Sequence, residues 1–89
     1  MKYRLRSTRS FEKGFRNLDI EARRRCDAEI RQLQDNPYIG KPLHGDLKGK
    51  YSLRSGDYRV IYSVDEADKS VLYRPIISIS WLVIFSSIW

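Results

Sequence analysis

The stretch Tyr51–Val64, YSLRSGDYRVIYSV, constrains the chain more than any other. Tyr51 and Leu53, then Tyr58, Val60 and Tyr62, fall at alternate positions, with Ser55-Gly56-Asp57 between the two runs. Alternation is the mark of a half-buried strand, and a Gly-Asp step between two such runs is a turn signal. The sequence therefore predicts a hairpin of Tyr51–Arg54 and Tyr58–Val64. Such a hairpin brings Lys50, Arg54 and Arg59 near one another at a sheet face or edge. With Lys41 and Lys48 just upstream and little acid close by, these fixed cations are suited to meet phosphates. The plainer alternative is a set of surface arginines, Arg54 paired with Asp57 and Arg59 with Asp57 or Asp65.

The segments before the hairpin read as one strand and two helices. In Lys2–Ser7, Tyr3 and Leu5 alternate with Lys2, Arg4 and Arg6, as in a short strand with one buried face. Ser7 or Thr8 can cap a following helix, in which Phe11, Phe15 and Leu18 make one apolar stripe. Gly14 within it costs about 1 kcal/mol relative to alanine, so this helix depends on packing. Asp19 is a suitable N-cap for a second helix over Ile20–Gln34, with Ala22, Cys26, Ile30 and Leu33 along one face. Asn36-Pro37 ends it, because proline disfavours helical geometry in the preceding residue. Arg23-Arg24-Arg25 reads as a solvated helix face tempered by Asp27 and Glu29. Tyr38–Gly49 is a glycine- and proline-bearing loop, Asp65–Lys69 a polar turn, and Ser70–Tyr73 the start of another strand. The expected fold is α+β: a strand and two helices, then an antiparallel meander, with the helix pair on one sheet face.

Eighty-nine residues suit one domain over 1–89. The formal charge of +6 points to an acidic partner, nucleic acid or protein. One cysteine, Cys26, allows no internal disulfide, and with a single histidine a structural zinc site is not expected. His44, in a glycine-bounded loop, is the sole side chain of ordinary acid–base character. No apolar run reaches the length of a membrane span, so no membrane contact and a cytoplasmic location are expected.

KPLHGDLKGKYSLRSGDYRVIY, residues 41–62, resembles the central signature of the RelE/ParE toxin superfamily, and most closely its RelE branch. The pattern runs Lys-x-Leu-x-Gly, an aromatic-x-Leu-Arg strand, then Gly-Asp-Tyr-Arg-Val-Ile-Tyr, its most specific part. The likeness covers about residues 1–70. It implies the toxin of a toxin–antitoxin pair, a ribosome-dependent mRNA endonuclease. In that chemistry a 2′-hydroxyl attacks the adjacent phosphorus, leaving a cyclic phosphate and a free 5′-hydroxyl. The site must accept the 2′ proton, stabilise the extra negative charge and protonate the leaving oxygen. No metal or other cofactor is required, since guanidinium and ammonium groups supply the charge.

Carried over by the resemblance, Arg59 is suited to the phosphorane and Arg54 grips the RNA backbone. Lys50 stabilises charge or shuttles a proton. Lys41 and Lys48 steer phosphates. Ser52 stands where some RelE members carry a second lysine, which weakens a lysine-based relay. The C-terminal part departs further: the family's last strand ends in a cationic step and a tyrosine, whereas Ile76–Trp89 has no Lys, Arg, His or Tyr. One of the 19 residues from Val71 onward is charged, against 27 of the first 70. Two accounts stand open: an apolar strand, Ile77, Ile79 and Trp81 alternating with serines, that covers the sheet, docks a partner or drives self-association; or a shifted reading frame. Either way the resemblance implies weakened or lost cleavage. The expected partners are an acidic antitoxin, the ribosome and mRNA. A ParE-like toxin that binds and inhibits DNA gyrase without cutting anything is the alternative.

Overall fold

The computed structural model describes residues 2–78, with side chains through Arg74. Strand β1 is Arg4–Ser7, helix α1 Arg9–Arg16, helix α2 Ile20–Arg31, strand β2 Lys41–Pro42, β3 Lys50–Ser55, β4 Tyr58–Asp65 and β5 Ser70–Ser78. They make a five-stranded sheet in the order β1-β5-β4-β3-β2, with the two helices on it.

Both expected caps form. The Thr8 hydroxyl accepts from the Phe11 amide at 3.2 Å, and the Asp19 carboxylate from the Ala22 amide at 2.8 Å. Each satisfies one of the amides that a helix start leaves without an internal partner. The α2 helix stops at Arg31, and Gln32–Gln34 tightens into a 3-10 turn that still buries Leu33. The apolar stripes of the helices meet the inward residues of the sheet in one core: Phe11, Leu18, Cys26, Ile30, Leu33, Leu53, Val60, Tyr62 and Val71.

One expectation needs correction and two gain detail. The antiparallel meander forms from β2 to β5, and β1 joins it by pairing with β5 in parallel, Leu5 opposite Val71. Nothing local in the sequence writes that pairing, because a parallel neighbour is reached only through a long crossover. The segment Tyr38–Gly49 is not wholly loop, since β2 pairs with β3 at its edge. A two-residue strand containing Pro42 has no alternation to detect, and an edge is where proline is tolerated. Finally the strand that starts at Ser70, as expected, runs on to Ser78, with a register shift against β4 between Val60 and Tyr62. The expectations for residues 79–89, and for the alternation of side chains beyond Arg74, lie outside the described residues.

The chain between α2 and β2 is pinned from the core. Tyr62, fully buried, donates its hydroxyl to the Pro37 carbonyl at 2.7 Å and accepts from the Gly40 amide at 3.0 Å. Burial pushes this phenol up to about 12. A side chain at Gly40 would run into that hydroxyl, which is why only glycine fits. A second tie gathers at Glu66, in the β4–β5 turn. Its carboxylate accepts from Tyr3 at 2.8 Å, from Lys69 at 2.8 Å and from Tyr38.

Candidate nucleic-acid interface

Successive residues of a strand point to opposite faces, and residues paired across strands share a face. Tyr51 and Leu53 of β3, with Val60, Tyr62 and Val64 of β4, point towards the helices. The intervening residues must point away: Lys50, Ser52 and Arg54 on β3, Arg59, Ile61 and Ser63 on β4. Lys41 of β2 pairs with Ser52 and joins the same face. Four of the five cations singled out in the sequence thus share the side of the sheet opposite the helices. Lys48 does not; it stands off the sheet, exposed, in the turn that leads into β3. His44 is exposed just before that turn.

Arg54 and Arg59 lie directly opposite each other. Their side chains diverge. The Arg59 Nη1 donates to the Ser52 hydroxyl at 3.2 Å, and the Arg54 Nε donates to the Gly56 carbonyl at 3.2 Å. Each contact fixes one edge of a guanidinium and leaves its other N–H donors for a ligand. Lys50 stands four positions along β3 from Arg54, about 13 Å at roughly 3.3 Å per residue, with Ser52 between them.

Among the described residues, no carboxylate comes within ion-pair distance of Lys41, Lys48, Lys50, Arg54 or Arg59. The ion pairs are instead Arg4–Asp68, Arg6–Asp68, Arg31–Asp27 and Lys69–Glu66. The pairings weighed for Arg54 and Arg59, with Asp57 or Asp65, do not form. Like charges held opposite each other cost stability, and an anionic ligand repays that cost.

Ser52 is the residue that sequence reasoning undervalued. It reads as a lost lysine, yet Ser52 is 3% exposed and its hydroxyl positions Arg59. The signal was present in the alternation, which already put position 52 on the face of Lys50 and Arg54. Among the described residues no group of three His, Cys, Asp or Glu side chains is placed to hold a metal ion. No helix there is long and apolar enough to cross a membrane.

A family model described as the ParE toxin of type II toxin–antitoxin systems matches residues 3–75. This chain belongs to the RelE/ParE toxins, on the RelE branch. Toxin RelE of Mycobacterium tuberculosis is 50% identical over 40 residues, 44% of this chain and 41% of that protein. The match therefore spans about two fifths of that curated relative. Two solved complexes cover more. RelBE2, a toxin–antitoxin complex of Mycobacterium tuberculosis, has a chain 25% identical to this toxin. The match has a TM-score of 0.81 and covers 88% of this toxin and 99% of that chain. The archaeal RelE–RelB complex of Pyrococcus horikoshii gives 30% identity and a TM-score of 0.72, with 88% and 96% covered. The α+β fold of this toxin is thus that of the RelE toxins.

Proposed function

We propose that this toxin acts by cleaving mRNA on the ribosome, and that the outward face of the β3–β4 hairpin is where the RNA phosphate sits. The observation that carries the reading is the placement of Lys50, Arg54 and Arg59 on one sheet face with no carboxylate of the described residues to neutralise them. Negative charge accumulates on the phosphorus oxygens when the 2′-oxygen attacks. Fixed cations already in place stabilise it without reorganisation. Arg59, held by Ser52, is the group for the phosphorane; Arg54 grips the adjoining backbone. Lys50 stabilises charge or carries a proton as the P–O5′ bond breaks and the 5′-oxygen takes one up. Lys41 on β2 and Lys48 in its turn draw the strand in.

The sequence supplies no Lys, Arg, His or Tyr after Arg74, so proton transfer lacks the tail group that the RelE branch uses, and cleavage is slow. An acidic antitoxin neutralises the same face; the two solved relatives are toxin–antitoxin complexes. A translation reaction with purified ribosomes tests the activity. The expected outcome is mRNA cut within codons by the natural chain and left whole by Arg59→Ala, whose fold is unchanged. The family model that matches is that of ParE toxins, which gives the gyrase reading its one supporting observation. Intact mRNA together with inhibited supercoiling by DNA gyrase decides for it.

A further inference from the structure

A row of paired residues runs straight across the outward face: Arg6 on β1, Leu72 on β5, Ser63 on β4 and Lys50 on β3. Its two ends are cations and its middle is uncharged. Three strand-to-strand steps of about 4.8 Å put those ends about 14 Å apart. The Arg6 side chain is 61% exposed, and its one ion-pair contact among the described residues is Asp68 at 3.7 Å. That carboxylate is already engaged by Arg4 at 2.7 Å. A long, shared, solvated contact contributes little to stability, so stability does not account for an arginine at position 6. Edge strands carry charge to discourage pairing with other chains, but either sign serves that purpose. Arg4 and Arg6 take the two outward places of β1 that face Ser70 and Leu72, and they continue the positive face begun by β2, β3 and β4.

We propose that Arg6 is a second phosphate-binding position, which takes the backbone of a single-stranded RNA after it has crossed the sheet along this row from Lys50. The proposal rests on the reading of this face as the RNA surface. Ser63 and Leu72, half-buried, are the floor the strand crosses. Asp68 occupies the arginines until a phosphate displaces it.

Binding, rather than cleavage, tests it. The full chain is titrated with a 2′-O-methylated single-stranded RNA, which binds without being cut, over a series of salt concentrations. The same is done with a trinucleotide too short to span the row. Each phosphate contact on a single strand contributes about 0.7 to the slope of log affinity against log salt. Arg6→Gln is expected to lower the slope by about 0.7 on the long strand and to leave the trinucleotide unaffected. Asp68→Asn is expected to tighten binding of the long strand, a gain that misfolding cannot produce. Lys13→Gln, on α1, leaves the slope where it was. An unchanged slope for Arg6→Gln on the long strand overturns the proposal, as does an equal loss on the trinucleotide or unaltered affinity for Asp68→Asn. The two readings fail separately. Uncut mRNA on ribosomes with a lowered Arg6→Gln slope sinks the nuclease and keeps the RNA track; cut mRNA with an unchanged slope does the reverse.

Discussion

On the helix side of the sheet Val60, Tyr62 and Val71 are sealed from solvent; on the other side, one residue along the same strands, stand Arg59, Ser63 and Leu72. The two faces are written by a single alternating sequence. The inner face is held by what folding requires: apolar side chains that fill the space under α1 and α2, with Tyr62 turning its one polar atom onto Pro37 and Gly40. The outer face is buried at Ser52 and Ile61 but released from that requirement at Arg54, and it accepts an arrangement that folding alone would penalise, Arg54 directly across from Arg59. Stability should therefore be lost by changes on one face, and RNA binding by changes on the other.

The largest separation is expected between Leu33 and Arg59. Leu33 is fully buried at the end of α2, and Leu33→Ala should cost about 2–5 kcal/mol through lost burial and the cavity left behind. Arg59→Ala removes one hydrogen bond, to Ser52, and should cost about 0.5–1.5 kcal/mol while abolishing cleavage. Urea unfolding of both variants is the measurement. An Arg59→Ala as destabilised as Leu33→Ala would break the division of labour between the faces.

Tyr62→Phe comes next. It strands the Gly40 amide and the Pro37 carbonyl under the core and should cost about 1–3 kcal/mol. Its interest is that an inner-face residue holds the lead-in to β2, and so Lys41 of the outer face. Weakened RNA binding in Tyr62→Phe, beyond what its stability explains, shows the two faces joined at this point. Gly40→Ala crowds the same hydroxyl, so the double substitution Gly40→Ala with Tyr62→Phe should be less harmful than the two single costs added.

Glu66 ties the ends of the sheet rather than either face. Hydrogen bonds from Lys69 and then Tyr3 hold its carboxyl below the ordinary value of 4.5. A carboxyl lowered on folding contributes stability that is in full force above its unfolded value and is lost as pH falls through the folded one. Thermal unfolding followed from neutral pH downward should show a decline below 4.5 that is shallower in Glu66→Gln. Equal slopes would mean that the Tyr3, Tyr38 and Lys69 contacts are too solvated to matter.

How much of this was legible in the sequence follows the reach of each signal. The hairpin, both helix caps and the stripe Ala22–Cys26–Ile30–Leu33 are written within a few residues and are where periodicity puts them. From the alternation alone, Lys50, Arg54 and Arg59 can be put on one side of a strand pair. The parallel pairing of β1 with β5 joins residues more than sixty positions apart, as Arg4 and Ser70 show, and no local pattern carries it. Arg6 was therefore visible as a surface charge but not as the end of a row that begins at Lys50. The role of Ser52 needed the diagonal reach of Arg59 from the next strand, and Glu66 needed two partners from distant segments, Tyr3 and Tyr38, beside its neighbour Lys69.

The smallest expected effect is the most pointed. Arg54→Thr replaces one of two opposed guanidiniums with a β-branched residue that suits a strand. Relief of a like-charge cross-strand pair should raise stability by about 0.2–1 kcal/mol. The Gly56 carbonyl loses its contact with the Arg54 Nε, but it lies at an exposed turn where water replaces that donor. The gain should shrink as salt is added, because screening already weakens the repulsion between solvated charges. RNA binding should fall in the same variant. A protein made more stable and less able to bind by one substitution has its outer face set by the ligand. If Arg54→Thr were instead destabilising at low salt, the opposed arginines would be held by packing, and the contrast between the faces would have to be drawn at Arg59 alone.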